Sequence, residues 1–151
     1  MLNNIDKILT GDILKVICDM GHDDVLILAD ANFPGETVAR ETTYGRLIRT
    51  PGVGSVAVYE AIRPLFPVDF DYTESPVCVM ELTEEDRAKG KGDPEIWEDF
   101  RRILRVDHPG AELGMIERFD FYERAKKAYA VIQTGEEKQY GNLLLVKGCV
   151  L

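Results

Sequence analysis

The sequence predicts an α/β fold: a single layered domain over residues 1–151, with a sheet that is mixed rather than wholly parallel. Three observations predict it. Short apolar runs such as Val25 to Ala29 and Val77 to Leu82 alternate with segments whose apolar residues recur at helical spacing. Those runs are continuous rather than alternating, the pattern of strands covered on both faces. No internal repeat, low-complexity tract or linker divides the 151 residues, a length that buries a substantial core.

Each element has a local signal. Thr10-Gly11-Asp12 opens a helix in which Ile13, Leu14, Ile17 and Met20 share a face, and Gly21 is placed to end it in the left-handed conformation. Asp24 to Ala29 reads as a strand, and Phe33-Pro34-Gly35 turns the chain. Glu36 to Tyr44 is polar and ambiguous. Leu47 to Arg49 is a short strand, broken by Thr50-Pro51-Gly52-Val53-Gly54. Ser55 is placed to cap a helix carrying Val56, Tyr59 and Ile62, which Pro64 and Pro67 finish. After the strand at Val77 to Leu82, Thr83 to Gly92 reads as a charged loop. Asp93-Pro94 then starts a helix with proline at its first position and an apolar stripe of Ile96, Phe100, Ile103 and Leu104. His108-Pro109-Gly110 stops it. Leu113 to Ile116 is a strand, Phe119 to Lys127 a helix, and Ala128 to Thr134 and Leu143 to Lys147 are the last two strands.

Composition excludes several classes. The formal charge of −9 offers no basic face for nucleic acid or for anionic membrane. Apolar runs are too short to span a bilayer. The three cysteines, Cys18, Cys78 and Cys149, show no Cys-x-x-Cys spacing. Their odd number, with no basic-then-apolar leader in Met1 to Asp6, suits a reducing cytoplasm.

The candidate chemistry centres on Asp19 to Pro34, where His22 follows a helix end and Asp30 stands at the far end of an apolar strand. An imidazole of ordinary pKa, about 6.5, can give or take a proton near neutrality; the plainer alternative is a solvated histidine. Asp30 costs free energy to bury unless it is hydrogen-bonded, and its plainer role is to cap the next turn. Arg118 offers several donors to a polyol or carboxylate, or else pairs with Glu117 or Asp120. Tyr140-Gly141-Asn142 reads first as a turn. Thr50 to Ser55 lacks the lysine and spacing of a phosphate-binding loop, and His22 with Asp23 and Asp24 lacks metal-ligand spacing.

Taken together these segments are more specific. Met20-Gly21-His22-Asp23-Asp24, Ala29-Asp30-Ala31-Asn32-Phe33-Pro34, Glu117-Arg118-Phe119 with Phe121-Tyr122-Glu123-Arg124-Ala125, Thr134-Gly135-Glu136 and Tyr140-Gly141-Asn142 occur in this order. The chain resembles the RbsD/FucU family of sugar mutarotases over nearly its whole length, and its fucose branch rather than its ribose-pyranase branch. The resemblance implies a layered α/β/α domain with a central mixed sheet. It implies a cofactor-free, metal-free isomerase that interconverts the α and β anomers of L-fucose. His22 takes the proton-donating role, and Asp30, Arg118, Tyr140, Gly141 and Asn142 bind the sugar. It further implies a ring-shaped homo-oligomer, typically a decamer, with sites near subunit contacts. Where the fucose branch carries Arg-Ala-Asp-Gly, this chain has Arg49-Thr50-Pro51-Gly52, one carboxylate fewer.

These residue types suit that reaction. The ring C–O bond must break, the open aldehyde must rotate about C1–C2, and the ring must close on the other face. A donor protonates the ring oxygen while an acceptor takes the anomeric hydroxyl proton; such help is worth roughly 10²–10⁴-fold. Charged Asp30 and Arg118 orient hydroxyls through charge-assisted bonds. Two alternatives share the signals: a pyranose–furanose isomerase acting on ribose, and a sugar-binding or transport-accessory protein without catalysis.

Overall fold

The computed structural model describes residues 2–150. Helix α1 (Gly11–Asp19) begins where Thr10 Oγ1 accepts a hydrogen bond from the Ile13 amide, and buries Ile13, Val16 and Ile17. Its end differs from the sequence expectation. Met20 is the C-cap in extended conformation, and the left-handed residue is Asp23, with φ 69°, rather than Gly21. The reason is Lys147, whose Nζ donates to the Ile17 and Met20 carbonyls at 2.5 and 2.6 Å. A cation satisfies the helix-end acceptors that a glycine motif otherwise serves.

Strand β1 (Val25–Ala29) follows, then α2 (Gly35–Ala39), β2 (Ile48–Thr50) and α3 (Ser55–Ile62). A short 3-10 turn over Arg63–Leu65 leads to β3 (Val77–Met80), α4 (Glu84–Ala88) and α5 (Glu95–Asp107). The chain closes with β4 (Gly114–Ile116), α6 (Arg118–Lys126), β5 (Ala130–Thr134) and β6 (Leu143–Val146). Three boundary expectations are corrected. Gly54 is the N-cap of α3, and Ser55 is its first, fully buried residue. Pro94 is the N-cap of α5, with Glu95 first in the helix. The charged segment after β3 holds α4, whose amide at Asp86 is capped by Thr83 Oγ1; its dense charge concealed a Thr-x-x-Asp start signal.

The six strands form one sheet in the order β2-β5-β1-β6-β3-β4. The pairs β2–β5, β5–β1 and β3–β4 are parallel, and β6 runs against both β1 and β3. Alternate residues of β1 serve opposite faces. Leu26 and Leu28 pack in a core with α1, α3 and α5, while Ile27 and Ala29 pack with Val38 and Ala39 of α2 and Phe121 and Ala125 of α6. All four strand residues are fully buried, each leucine and isoleucine contributing about 1.5–3 kcal/mol of hydrophobic free energy. Helices therefore cover both faces of a mixed sheet. Among the described residues no helix is long and apolar enough to cross a membrane.

Candidate functional site

Because β6 runs against its neighbours, its N-terminal end lies on the same edge as the C-terminal ends of β1, β3, β4 and β5. Chain reversals at that edge open a crevice, the place where α/β sheets usually bind ligands. It is a pocket of about 520 Å³. Asp30 follows β1, Thr83 and Asp86 follow β3, Arg118 and Tyr122 follow β4, and Tyr140 and Asn142 precede β6; all line it. Phe33 and Met80 supply apolar wall, so polar groups converge beside hydrocarbon.

Asp30 and Asn142 form its floor. Asn142 Nδ2 donates to Asp30 Oδ2 at 2.8 Å, and Asn142 Oδ1 accepts from the Asp30 amide at 2.9 Å. The Asn32 amide donates to Asp30 Oδ1 at 3.0 Å. Asp30 is only 5% exposed, and burial pushes its carboxyl above the ordinary value, opposed by hydrogen bonds from Asn32 and Asn142. The plainer sequence role is thus realised, since Asp30 caps the following turn, and the carboxylate also lines the pocket.

The loop bearing Asp30 is held from behind by Gln133 on β5. Its Nε2 lies 2.7 Å from the Phe33 carbonyl, 3.2 Å from that of Ala31 and 3.3 Å from that of Asp30. Arg49 Nη1 donates to Gln133 Oε1 at 3.1 Å. Gly35 is required for this approach, since a Cβ there would stand 2.8 Å from Gln133 Oε1.

Arg118 opens α6, whose N-cap Glu117 accepts from the Phe119 and Asp120 amides. Glu117 is thereby committed to the helix, and the Arg118 guanidinium lies 5.7 Å from the ring centres of both Phe119 and Tyr122. Tyr122 was not singled out from sequence, although its spacing of four from Arg118 places both on one helix face. Gly141 stands between Tyr140 and Asn142 but does not itself line the pocket; it is packed so closely that a Cβ would meet Glu136 Cγ at 2.7 Å and the Lys138 carbonyl at 3.1 Å.

His22 is not in this pocket. It precedes β1 whereas Asp30 follows it, and five strand residues at about 3.3 Å each separate the two ends by roughly 17 Å. There the chain is clamped to β6 by the Asp23 amide on the Lys147 carbonyl and the Lys147 amide on the Asp24 carbonyl, both 2.9 Å. His22 Nε2 lies 3.5 Å from Asp69 Oδ1, and its ring meets Tyr72 edge-on. The Asp69 side chain is 1% exposed; its Oδ2 accepts from Thr73 Oγ1 at 2.6 Å, while its Oδ1 has no hydrogen-bond partner. The His22 side chain is 42% exposed, an imidazole backed by a buried carboxylate and open to whatever approaches that edge. Asp69 also escaped the sequence reading; its signal is an isolated acid in the apolar run Leu65 to Phe70. The other histidine, His108, packs on Phe70, the chain neighbour of Asp69, with ring centres 4.4 Å apart, and does not line the pocket. Among the described residues no three His, Cys, Asp or Glu side chains cluster as metal ligands.

The sequence matches the RbsD / FucU transport protein family over residues 3–150. It is 43% identical to the human fucose mutarotase over 148 residues, covering 97% of this chain and 93% of that protein. It is 37% identical to an L-fucose mutarotase of Actinobacillus pleuropneumoniae, covering 98% of this chain and 96% of the relative. The structure superposes on the crystal structure of a Streptococcus pneumoniae fucose mutarotase in complex with L-fucose, with a TM-score of 0.86 at 36% identity, over 99% of this chain and all of that one.

Proposed function

Since the chain belongs to the RbsD / FucU family, we propose that it is a mutarotase interconverting the α and β anomers of L-fucose. The observation that carries this is the crevice pocket, where Asp30, Asn142, Arg118 and Tyr140 converge beside Phe33 and Met80. Hydroxyl groups bind to the polar set, and the methyl group of a 6-deoxy sugar lies against the apolar one. Asp30 accepts hydroxyl hydrogens and Arg118 donates to oxygens, fixing the ring while its C–O bond breaks. The open aldehyde turns about C1–C2 and recloses.

The proton for the ring oxygen comes from His22 of the partner subunit. Within one chain the imidazole is a strand's length from the pocket, so a complete site needs two copies, the β1 start of one facing the crevice of the next. Such a head-to-tail contact is heterologous and makes a ring where its rotation closes, in keeping with a decamer. Exposed Tyr72 beside His22 and exposed Phe119 beside Arg118 provide apolar surface at the two faces. Free thiols at Cys18, Cys78 and Cys149 suit a cytoplasmic enzyme.

Saturation-transfer NMR on the anomeric protons of L-fucose tests the activity. Exchange well above that in buffer is expected, with D-ribose affected much less. Exchange equal to buffer at micromolar enzyme refutes the assignment.

A further inference from the structure

Tyr140 is held by more contacts than a pocket-lining side chain needs. Its backbone is left-handed, with φ 62°, a conformation uncommon for a bulky residue. The indole of fully buried Trp97 donates to its carbonyl at 3.2 Å. Its hydroxyl lies 2.5 Å from Asp86 Oδ2 and accepts from the Thr83 amide at 3.3 Å. Lys91 Nζ stands 2.9 Å from the other oxygen of Asp86. In an ordinary capping box the acidic residue three positions into the helix returns to the amide of the N-cap. Here the phenol oxygen of Tyr140 has taken that place, between the Asp86 carboxylate and the Thr83 amide.

We propose that Asp86 is a positioning residue of the sugar site: it takes the phenolic proton of Tyr140, so that Tyr140 meets the ligand only as a hydrogen-bond acceptor. The inference rests on the sugar-binding reading of the pocket. An ionised carboxylate has no hydrogen to give, and a phenol has one. With that hydrogen donated to Asp86 and one acceptor site of the oxygen used by Thr83, a single lone-pair direction remains. Tyr140, Asp86 and Thr83 all line the cavity, so the free acceptor belongs to the pocket. The hydrogen bond from Tyr140, then that from Lys91, hold the Asp86 carboxyl below its ordinary value. Asp86 therefore stays ionised through the neutral range, and the contact with Tyr140 weakens only as pH falls through that lowered value. A sugar hydroxyl at this position must donate, which makes Asp86 a specificity determinant although it need not touch the sugar.

The test compares Asp86→Ala, Tyr140→Phe and the double variant in the L-fucose exchange assay, using 2-, 3- and 4-deoxyfluoro-L-fucose as competitors. Fluorine cannot donate a hydrogen bond. Asp86→Ala is expected to raise KM about tenfold, the loss of one hydrogen bond, with kcat changed little. The double variant is expected to be no worse than Tyr140→Phe, and wild type to reject one fluorinated isomer that Asp86→Ala accepts. Unchanged KM, effects that multiply in the double variant, or equal rejection by both proteins overturns the proposal. If Asp86→Ala melts, Asp86→Ser, too short to reach the phenol, takes its place. The tyrosine ¹³Cζ shift of Tyr140 is read in parallel and needs no activity. Should wild type exchange no L-fucose, the mutarotase assignment fails; a shift unmoved by loss of Asp86 then overturns this proposal, and a moved one upholds it.

Discussion

Replacing Asn142 by Asp places a second carboxylate against Asp30 where an amide now donates. The present separation of Asn142 Nδ2 and Asp30 Oδ2 is 2.8 Å, and Asp30 and Asn142 are 5% and 4% exposed. Two unit charges at that distance repel by about 6 kcal/mol at an effective dielectric of 20. Protonating one carboxyl of ordinary pKa at pH 7 costs about 4 kcal/mol, and less for Asp30, whose affinity for a proton burial already raises. Proton uptake wins. Asn142→Asp should fold with one shared proton that the unfolded chain lacks at neutral pH. A group whose folded pKa is raised contributes fully below its unfolded value, and the contribution fades as pH rises. Relative to wild type, the variant should lose about 1.4 kcal/mol per pH unit from roughly pH 4 upward, approaching 4 kcal/mol at pH 7. Urea unfolding across pH 4.5–7.5, at fixed protein concentration, measures it. A deficit independent of pH, or one that grows toward acid, refutes the account of the floor.

Three further outcomes follow from the same geometry. His22→Ala should slow anomer exchange roughly 10²–10⁴-fold while calorimetric affinity for L-fucose stays within a few-fold, and a fully active variant would make His22 structural only. Gly35→Ala should cost about 1–3 kcal/mol by forcing the Gln133 amide off the carbonyls it serves, and should weaken L-fucose binding because the Asp30 loop loosens; unfolding and calorimetry report each, and wild-type values in both would contradict the role given to Gln133. Lys147→Met should destabilise by about 1–3 kcal/mol, since the Ile17 and Met20 carbonyls lose their donor, and should lower exchange by loosening the His22 turn. An unchanged melting curve would show that water replaces the ammonium at no cost.

Local chemistry carried much of this into the sequence. The apolar runs at Val25, Val77 and Leu143 read as buried strands, and the stripe of Ile96, Phe100, Ile103 and Leu104 as a helix face; the structure places each so. Errors arose where a distant residue overrides local preference. Gly21 lost the helix-ending role because Lys147, at the other end of the chain, supplies the cap. The segment Thr83 to Gly92 reads as a loop because its charge hides a short helix anchored through Tyr140. At the site, Asp30, Arg118, Tyr140 and Asn142 stand out through the family resemblance rather than through their local pattern, and they meet in one pocket. That His22 and Asp30 stand at opposite edges is legible from the strand between them; that Tyr140 and Asn142 join Asp30 depends on β6 running against β1, which no local motif encodes. Gln133 and Asp69 act from behind their partners; Gln133 carries no local signal, and Asp69 only that of an isolated acid in an apolar run.

The central claim, that each site is built from two copies, is tested most directly by complementation between His22→Ala and Arg118→Ala chains. Each alone should be nearly silent in L-fucose exchange. In assemblies formed by co-expressing them in equal amounts, random neighbours leave about a quarter of the sites with an intact crevice facing an intact His22. Exchange should recover to about that fraction of wild type. Mixed assemblies that contain both chains and stay as silent as either parent would contradict the shared site.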